Sequence, residues 1–218
     1  MKIECKENHC CVIDSLLYLG NMKTATNESE LSKLNIKAIV CLLPKKYQIS
    51  HDESKYSVLN IDTEDKISCS LLEWAPKTFE FIQEHISKNE AVFVHCAQGI
   101  SRSSSCVMYY LMTKKSMNLK DSFDLLKSKR NVICPTTGFF SDLVNLDKNL
   151  FGKNSFTLEE YSLMCIGENF PSIPKEEIEK IYKKYKNIYI DENMKYTQKY
   201  LDEVKSKNIE PIGYNCME

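Results

Sequence analysis

The run Ala91-Val92-Phe93-Val94 is apolar at every position. A strand without a polar side has to be covered on both faces, so it belongs in the middle of a mostly parallel sheet. The first 150 residues support that frame by alternating short β-branched runs with amphipathic helical stretches. Cys11-Val12-Ile13-Asp14 and Leu16-Leu17-Tyr18-Leu19-Gly20 read as a hairpin or two short strands. Asn27 with Glu30 three residues on predicts a capped helix to about Lys33. Ile36 through Leu43 is another buried strand, stopped by Pro44, and Tyr56 through Ile61 is the next. Ser70 and Glu73 form a capping-box pattern opening a long helix through Phe79, Ile82 and Ile86, in which Pro76 predicts a kink or a late start. Helices follow at about 103–115, at 119–130 behind Asn118, and at about 136–150 behind Pro135. The expected class is α/β: a central, mostly parallel sheet flanked by helices on both faces, with a helical extension at the C-terminal end.

That extension begins where the character of the chain changes. Beyond Gly152-Lys153-Asn154 strand-like alternation disappears, except at Ile188-Tyr189-Ile190, and Lys and Glu become frequent. Helices are expected at about 157–166, 174–187 and 192–206. The chain therefore divides into a domain over 1–152 and an extension over 153–218, which offers a place for a partner to dock. A net charge of −1 over 218 residues removes the case for a nucleic-acid binder driven by bulk electrostatics. No apolar run approaches the roughly 18 residues of a membrane span. Met1-Lys2-Ile3-Glu4-Cys5-Lys6 has no apolar signal core, and Lys2 stands where myristoylation requires Gly. Cys216 is third from the end, whereas a prenylation box needs it fourth. The expected location is the cytoplasm, with the nucleus also open to it, and neither membrane nor nucleic acid is an expected partner. Ten cysteines are scattered without a C-x-x-C pair, and the four histidines lack zinc-finger spacing. They predict neither a metal site nor a disulfide framework, and most read as small buried hydrophobes.

One cysteine reads differently. Val92-Phe93-Val94-His95-Cys96-Ala97-Gln98-Gly99-Ile100-Ser101-Arg102-Ser103 is a strand, a seven-residue loop and a helix start. A loop that turns into a helix N-terminus aims several backbone N–H groups at one point, and the helix dipole adds positive potential there. Gly99 permits the backbone angles this needs. Arg102 offers a planar fork for two phosphate oxygens, which Lys cannot. That choice is informative, because only two of the 29 basic residues, Arg102 and Arg130, are arginines. The field that binds a phosphate dianion also favours a thiolate, which makes Cys96 an in-line nucleophile for phosphoryl transfer. His95 is expected to orient the loop rather than touch substrate, and Ser103 to donate a hydroxyl proton to the leaving thiolate. Protonating the leaving group requires an acid from elsewhere in the chain, and the loop Asp62-Thr63-Glu64-Asp65 supplies three carboxylates.

The segment His95 to Ser103 resembles the H-C-x-x-G-x-S-R-S signature of the cysteine-dependent dual-specificity protein phosphatases at every defined position. The similarity extends over roughly 10–150, through Leu17-Tyr18-Leu19-Gly20-Asn21, Tyr110-Leu111-Met112 and Arg130-Asn131-Val132-Ile133-Cys134-Pro135. It implies a sheet of about five strands, no cofactor, and a phosphoprotein substrate held by Ala97, Gln98, Gly99, Ile100, Ser101 and Arg102. It also implies that the acid lies near Asp65, 31 residues before Cys96; Asp62 and Glu64 are the alternatives. Arg130 matches a position where some relatives engage a second phosphate, and equally suits a surface Arg ending a helix. A domain of about 140 residues has little material for deep walls, so phosphoserine and phosphothreonine are expected to enter as well as phosphotyrosine. The absence of Lys between Ala97 and Ser101 argues against phosphoinositides. Other readings with the same residues are a silent phospho-binding module and a phosphatase of RNA or carbohydrate phosphates. Thr136 stands where the family usually has Asn, and its hydroxyl is expected to replace part of the buried support. Cys41 and Cys106 are candidates to pair with Cys96 on oxidation.

Overall fold

The computed structural model describes residues 8–185. Five strands form one sheet: β1 (His9–Ile13), β2 (Leu17–Gly20), β3 (Ile36–Leu42), β4 (Ser57–Ile61) and β5 (Ala91–His95). Their order is β1-β2-β5-β3-β4, with β1 antiparallel to β2 and every other pair parallel. The apolar run is thus the central strand, and all of β5 is buried. Ile39 lies opposite Phe93 and Val40 opposite Val94, so side-chain alternation builds two apolar faces at once. On one face Ile39 and Phe93 pack with Tyr18, with Ala25 of α1 (Met22–Ala25) and with Leu31 of α2 (Glu28–Lys33). The other face takes α3 (Ala75–Ser87) and α4 (Arg102–Lys115), and α5 (Leu119–Lys129) and α6 (Thr137–Phe151) pack against α4. This is the mostly parallel sheet with two helical layers that the pattern predicts, with the five strands that the family resemblance implies.

The helix starts follow their caps. Asn27 accepts the amide of Glu30 and Asn118 that of Asp121. Ser70 caps only a short 3₁₀ turn, Leu71–Glu73, and α3 starts later, at Ala75. Pro76 then sits in the first turn, where its missing N–H costs nothing, so the outcome is a late start and not a kink. Beyond Thr157 come α7 (Leu158–Asn169), opened by a complete Thr157/Glu160 capping box, and α8 (Lys175–Tyr185). The strand-like Ile188–Ile190 and the helix expected at 192–206 lie outside the described residues.

Two compact units divide between Phe156 and Thr157, four residues past the break expected at Gly152. The reason is local. Ser155 donates its hydroxyl to fully buried Asp147 at 2.8 Å, and the Phe156 ring packs edge-on to Phe123 and Phe140. These four residues therefore belong to the first unit. Among the described residues no helix is long and apolar enough to cross a membrane.

Candidate active site

Three connections leave the carboxyl ends of the parallel strands β3, β4 and β5, where open α/β sheets bind ligands. After β5, the loop Cys96 to Ser101 runs into α4. Its carbonyls are all engaged. Ala97 O accepts from the Met22 amide (3.1 Å), Gln98 O from Arg130 Nη2 (3.0 Å), Gly99 O from Arg130 Nε (2.8 Å) and Ile100 O from the Cys134 amide (3.0 Å). Ser101 O accepts from the hydroxyls of Ser104 and Ser105. In a trans peptide the N–H points opposite the carbonyl, so the amides of Gln98, Gly99, Ile100 and Ser101 turn away from those partners. The Gly99 amide accordingly donates to Cys96 Sγ at 3.2 Å. Gly99 has φ +69°, and a Cβ there would lie 2.6 Å from Gly20 O, so the position demands glycine twice over.

Cys96 is almost fully buried, and its Sγ lies 3.2 Å from Ser103 Oγ. His95 stacks on Phe93 and donates from Nδ1 to Cys96 O at 3.3 Å, since a carbonyl can only accept. Burial lowers its pKa to about 4. It braces the loop as a neutral ring.

After β4 comes the loop with the three carboxylates, and they separate by environment. Asp62 is exposed and accepts the Lys45 amide at 2.8 Å, while Glu64 pairs with Lys66. Asp65 alone turns to the cysteine loop: its Oδ1 accepts the Ser101 hydroxyl at 2.6 Å and its Oδ2 lies 3.4 Å from Arg102 Nε. Burial pushes the Asp65 carboxyl above the ordinary carboxylate range, against the pull of Ser101 and Arg102. The Arg102 guanidinium is buried. Its Nη1 donates to Thr63 O at 3.3 Å, and its Nε has no hydrogen-bond partner. The Asp65 carboxylate at 3.4 Å is close enough for an ion pair but too poorly aligned for a hydrogen bond, which leaves the Nε proton able to take a further acceptor. A cavity of about 490 Å³ opens here, lined by Asp65, Ala97 and Arg102 together with Met22, Leu43 and Tyr47.

Residues 17–149 match the model of the dual specificity phosphatase catalytic domain. The chain belongs to that family. Human dual specificity protein phosphatase 9 is 34% identical over 134 residues, which is 62% of this chain and 35% of that protein. A probable dual specificity phosphatase of Dictyostelium discoideum is 34% identical over 149 residues, 68% of this chain and 53% of that one. The chain thus spans about a third of the length of the first of these relatives and about half of the second. Among solved structures, human DUSP28 is 25% identical with a TM-score of 0.61, over 66% of this chain and 95% of that one. A human tyrosine phosphatase-like serine/threonine/tyrosine-interacting protein is 27% identical with a TM-score of 0.58, over 62% and 95%.

Within this dual specificity phosphatase frame, two residues stand differently from the sequence reading. Arg130 neither lines a rim nor sits on the surface: it is buried and spends its guanidinium on the carbonyls of Gln98 and Gly99. Thr136 Oγ1 has no hydrogen-bond partner, so the hydroxyl does not stand in for the missing Asn. The Thr136 backbone amide donates to Ser101 Oγ at 3.0 Å. Cys41 and Cys106 are free buried thiols whose pKa values burial raises, Cys106 to about 12. The Met22, Leu43 and Tyr47 walls escaped the sequence reading because only the fold brings them to Asp65, Ala97 and Arg102.

Proposed function

We propose that the chain hydrolyses phosphotyrosine and phosphoserine/threonine esters of proteins through a phosphocysteine intermediate. The observation that carries this reading is the burial of Cys96 Sγ beside the Gly99 amide and Ser103 Oγ, with Arg102 and its ion-pair partner Asp65 at the same loop. Cys96 Sγ attacks phosphorus as the P–O bond to the substrate breaks, and Asp65 gives its proton to the departing oxygen. Arg102 and the loop amides hold the equatorial oxygens. Water then attacks phosphorus, Asp65 as carboxylate takes its proton, and the P–S bond breaks while Ser103 donates to the leaving sulfur. Inorganic phosphate and the starting enzyme remain. Every step is supplied by side chains and water, so the reaction calls on no cofactor.

His95 and Arg130 act through the loop, the first by its bond to Cys96 O and the second by its two carbonyl contacts. Residues 153–218 are read as a docking extension, and the cytoplasm or nucleus as the place of action. The test is turnover of phosphotyrosine and phosphothreonine peptides with chelator present. Wild type is expected to hydrolyse both, and Cys96→Ser neither. Asp65→Asn is expected to lose about 10²–10⁴ in kcat on an ester with a poor leaving group, together with the basic limb of its pH profile. Undiminished turnover by Cys96→Ser ends the reading.

A further inference from the structure

The acid loop is fastened to the first turns of α6 at three successive points. At the first, the Thr136 amide donates to Ser101 Oγ, and the single Ser101 proton goes on to Asp65 Oδ1. At the second, Gly138 leaves the space that the Ile67 backbone occupies; a Cβ there would collide with Ile67 O. At the third, Asp142 Oδ2 accepts both the Ser70 hydroxyl (2.8 Å) and the Leu71 amide (2.7 Å). Gly138 and Asp142 are four residues apart, hence on one face of the helix. The attachment points 65, 67 and 70–71 bracket the acid on its C-terminal side. On the other side Asp62 is tied to the Lys45 amide.

We propose that α6 is a clamp holding the Asp65 carboxyl in its proton-donating position, with Ser101, Gly138 and Asp142 as positioning residues. This rests on the reading of Asp65 as the acid. The physical ground is that proton transfer needs the donor within hydrogen-bond reach of the leaving oxygen, and a loop left to itself spreads over many conformers. Fixing three points of it on a helix gives up that freedom during folding and not during each turnover. The Ser101 contact adds an electrostatic effect. Its hydroxyl favours the Asp65 carboxylate, as does Arg102, whereas Glu64 and Lys66 in the same loop neutralise each other.

A merely structural role and a positioning role part company on the leaving group. The comparison uses the full chain with phenyl phosphate, whose phenoxide needs a proton, and 2,4-dinitrophenyl phosphate, whose leaving group does not. For Gly138→Ala and for Asp142→Ala, kcat/KM on phenyl phosphate, which stops at the first transfer and leaves out the phosphocysteine hydrolysis that also uses Asp65, is expected to fall about tenfold or more. On the dinitrophenyl ester it is expected to stay within about twofold, as is inhibition by inorganic phosphate. In an Asp65→Ala background neither substitution is expected to cost anything further, since each acts through that carboxyl. Ser101→Ala is expected to lower the phenyl phosphate plateau and move its basic limb to higher pH. Should Gly138→Ala fail to fold, Asp142→Asn, which weakens the acceptor at constant size, carries the same expectation. Equal losses on both esters, no loss on either, or a loss that persists without Asp65 overturns the clamp. A wild type that hydrolyses neither ester removes the phosphatase reading, and the clamp with it.

Discussion

Burial drives both His95 and Asp65 toward their neutral forms, and protons act on the two in opposite senses. His95 titrates near 6.5 in an unfolded chain and at about 4 here. Between those values the unfolded state binds the extra proton, so folding stability falls as pH drops from 6.5 to 4. By pH 5 the loss is about 2 kcal/mol, with little change above pH 7. Denaturant unfolding at pH 7.5 and 5.0 reads this directly, and His95→Asn is expected to flatten the difference. Asp65 is stabilised in its protonated form, which keeps the proposed acid in its proton-bearing form to higher pH. At this scale the sequence is most legible where chemistry is contiguous: Cys96, Gly99, Arg102 and Ser103 follow one another within eight residues, and their spacing together with the strand before and the helix after makes them candidates. The candidate acid is legible from local pattern only as one of three carboxylates, and it takes the family resemblance to favour Asp65. What separates Asp65 from Asp62 and Glu64 is the Ser101 hydroxyl, the Lys45 amide and the Lys66 ammonium, and only folding brings these together.

Among the elements, α5 bears on the cysteine loop through the residue that caps it. Arg130 closes that helix and then reaches back to two loop carbonyls. Hydrogen bonds from a charged group are worth about 1.5–3 kcal/mol each. Arg130→Met is therefore expected to raise the inhibition constant of inorganic phosphate at least about tenfold and to lower the melting temperature. An unchanged constant would mean that the loop holds its shape without the brace. Helix and strand positions read well from sequence because caps and alternation are local, as the Asn27 and Asn118 starts illustrate. The start of α3 reads less well. Ser70 has a capping pattern, yet its hydroxyl donates to Asp142, 72 residues away, and that long-range bond is invisible to a local rule.

For the whole molecule, the first unit ends with Phe156 and not at Gly152. A chain ending after residue 156 is expected to keep its melting temperature and aryl phosphatase activity. One ending after 152 loses the Ser155 bonds to buried Asp147 and the Phe156 ring between Phe123 and Phe140. Each loss costs about 1–4 kcal/mol, so the shorter chain is expected to melt several degrees lower. Thermal unfolding of the two truncations decides the boundary. Glycine and charge in the sequence mark Gly152–Asn154 as a break, but the packing that carries the unit past it depends on Asp147, Phe140 and Phe123, side chains in two earlier helices.

The cysteine loop is held from outside by groups that arrive late in synthesis, Arg130 and the Cys134 amide. A chain still on the ribosome with residue 120 newly added already contains Asp65, Cys96, Arg102 and Ser103. It cannot yet turn the peptide units between Gln98 and Ile100 outward, because their acceptors have nothing to bind. The anion receptor therefore comes into being only when the distal third of the first unit closes over it, and the newborn polypeptide carries its reactive sulfur unarmed until then.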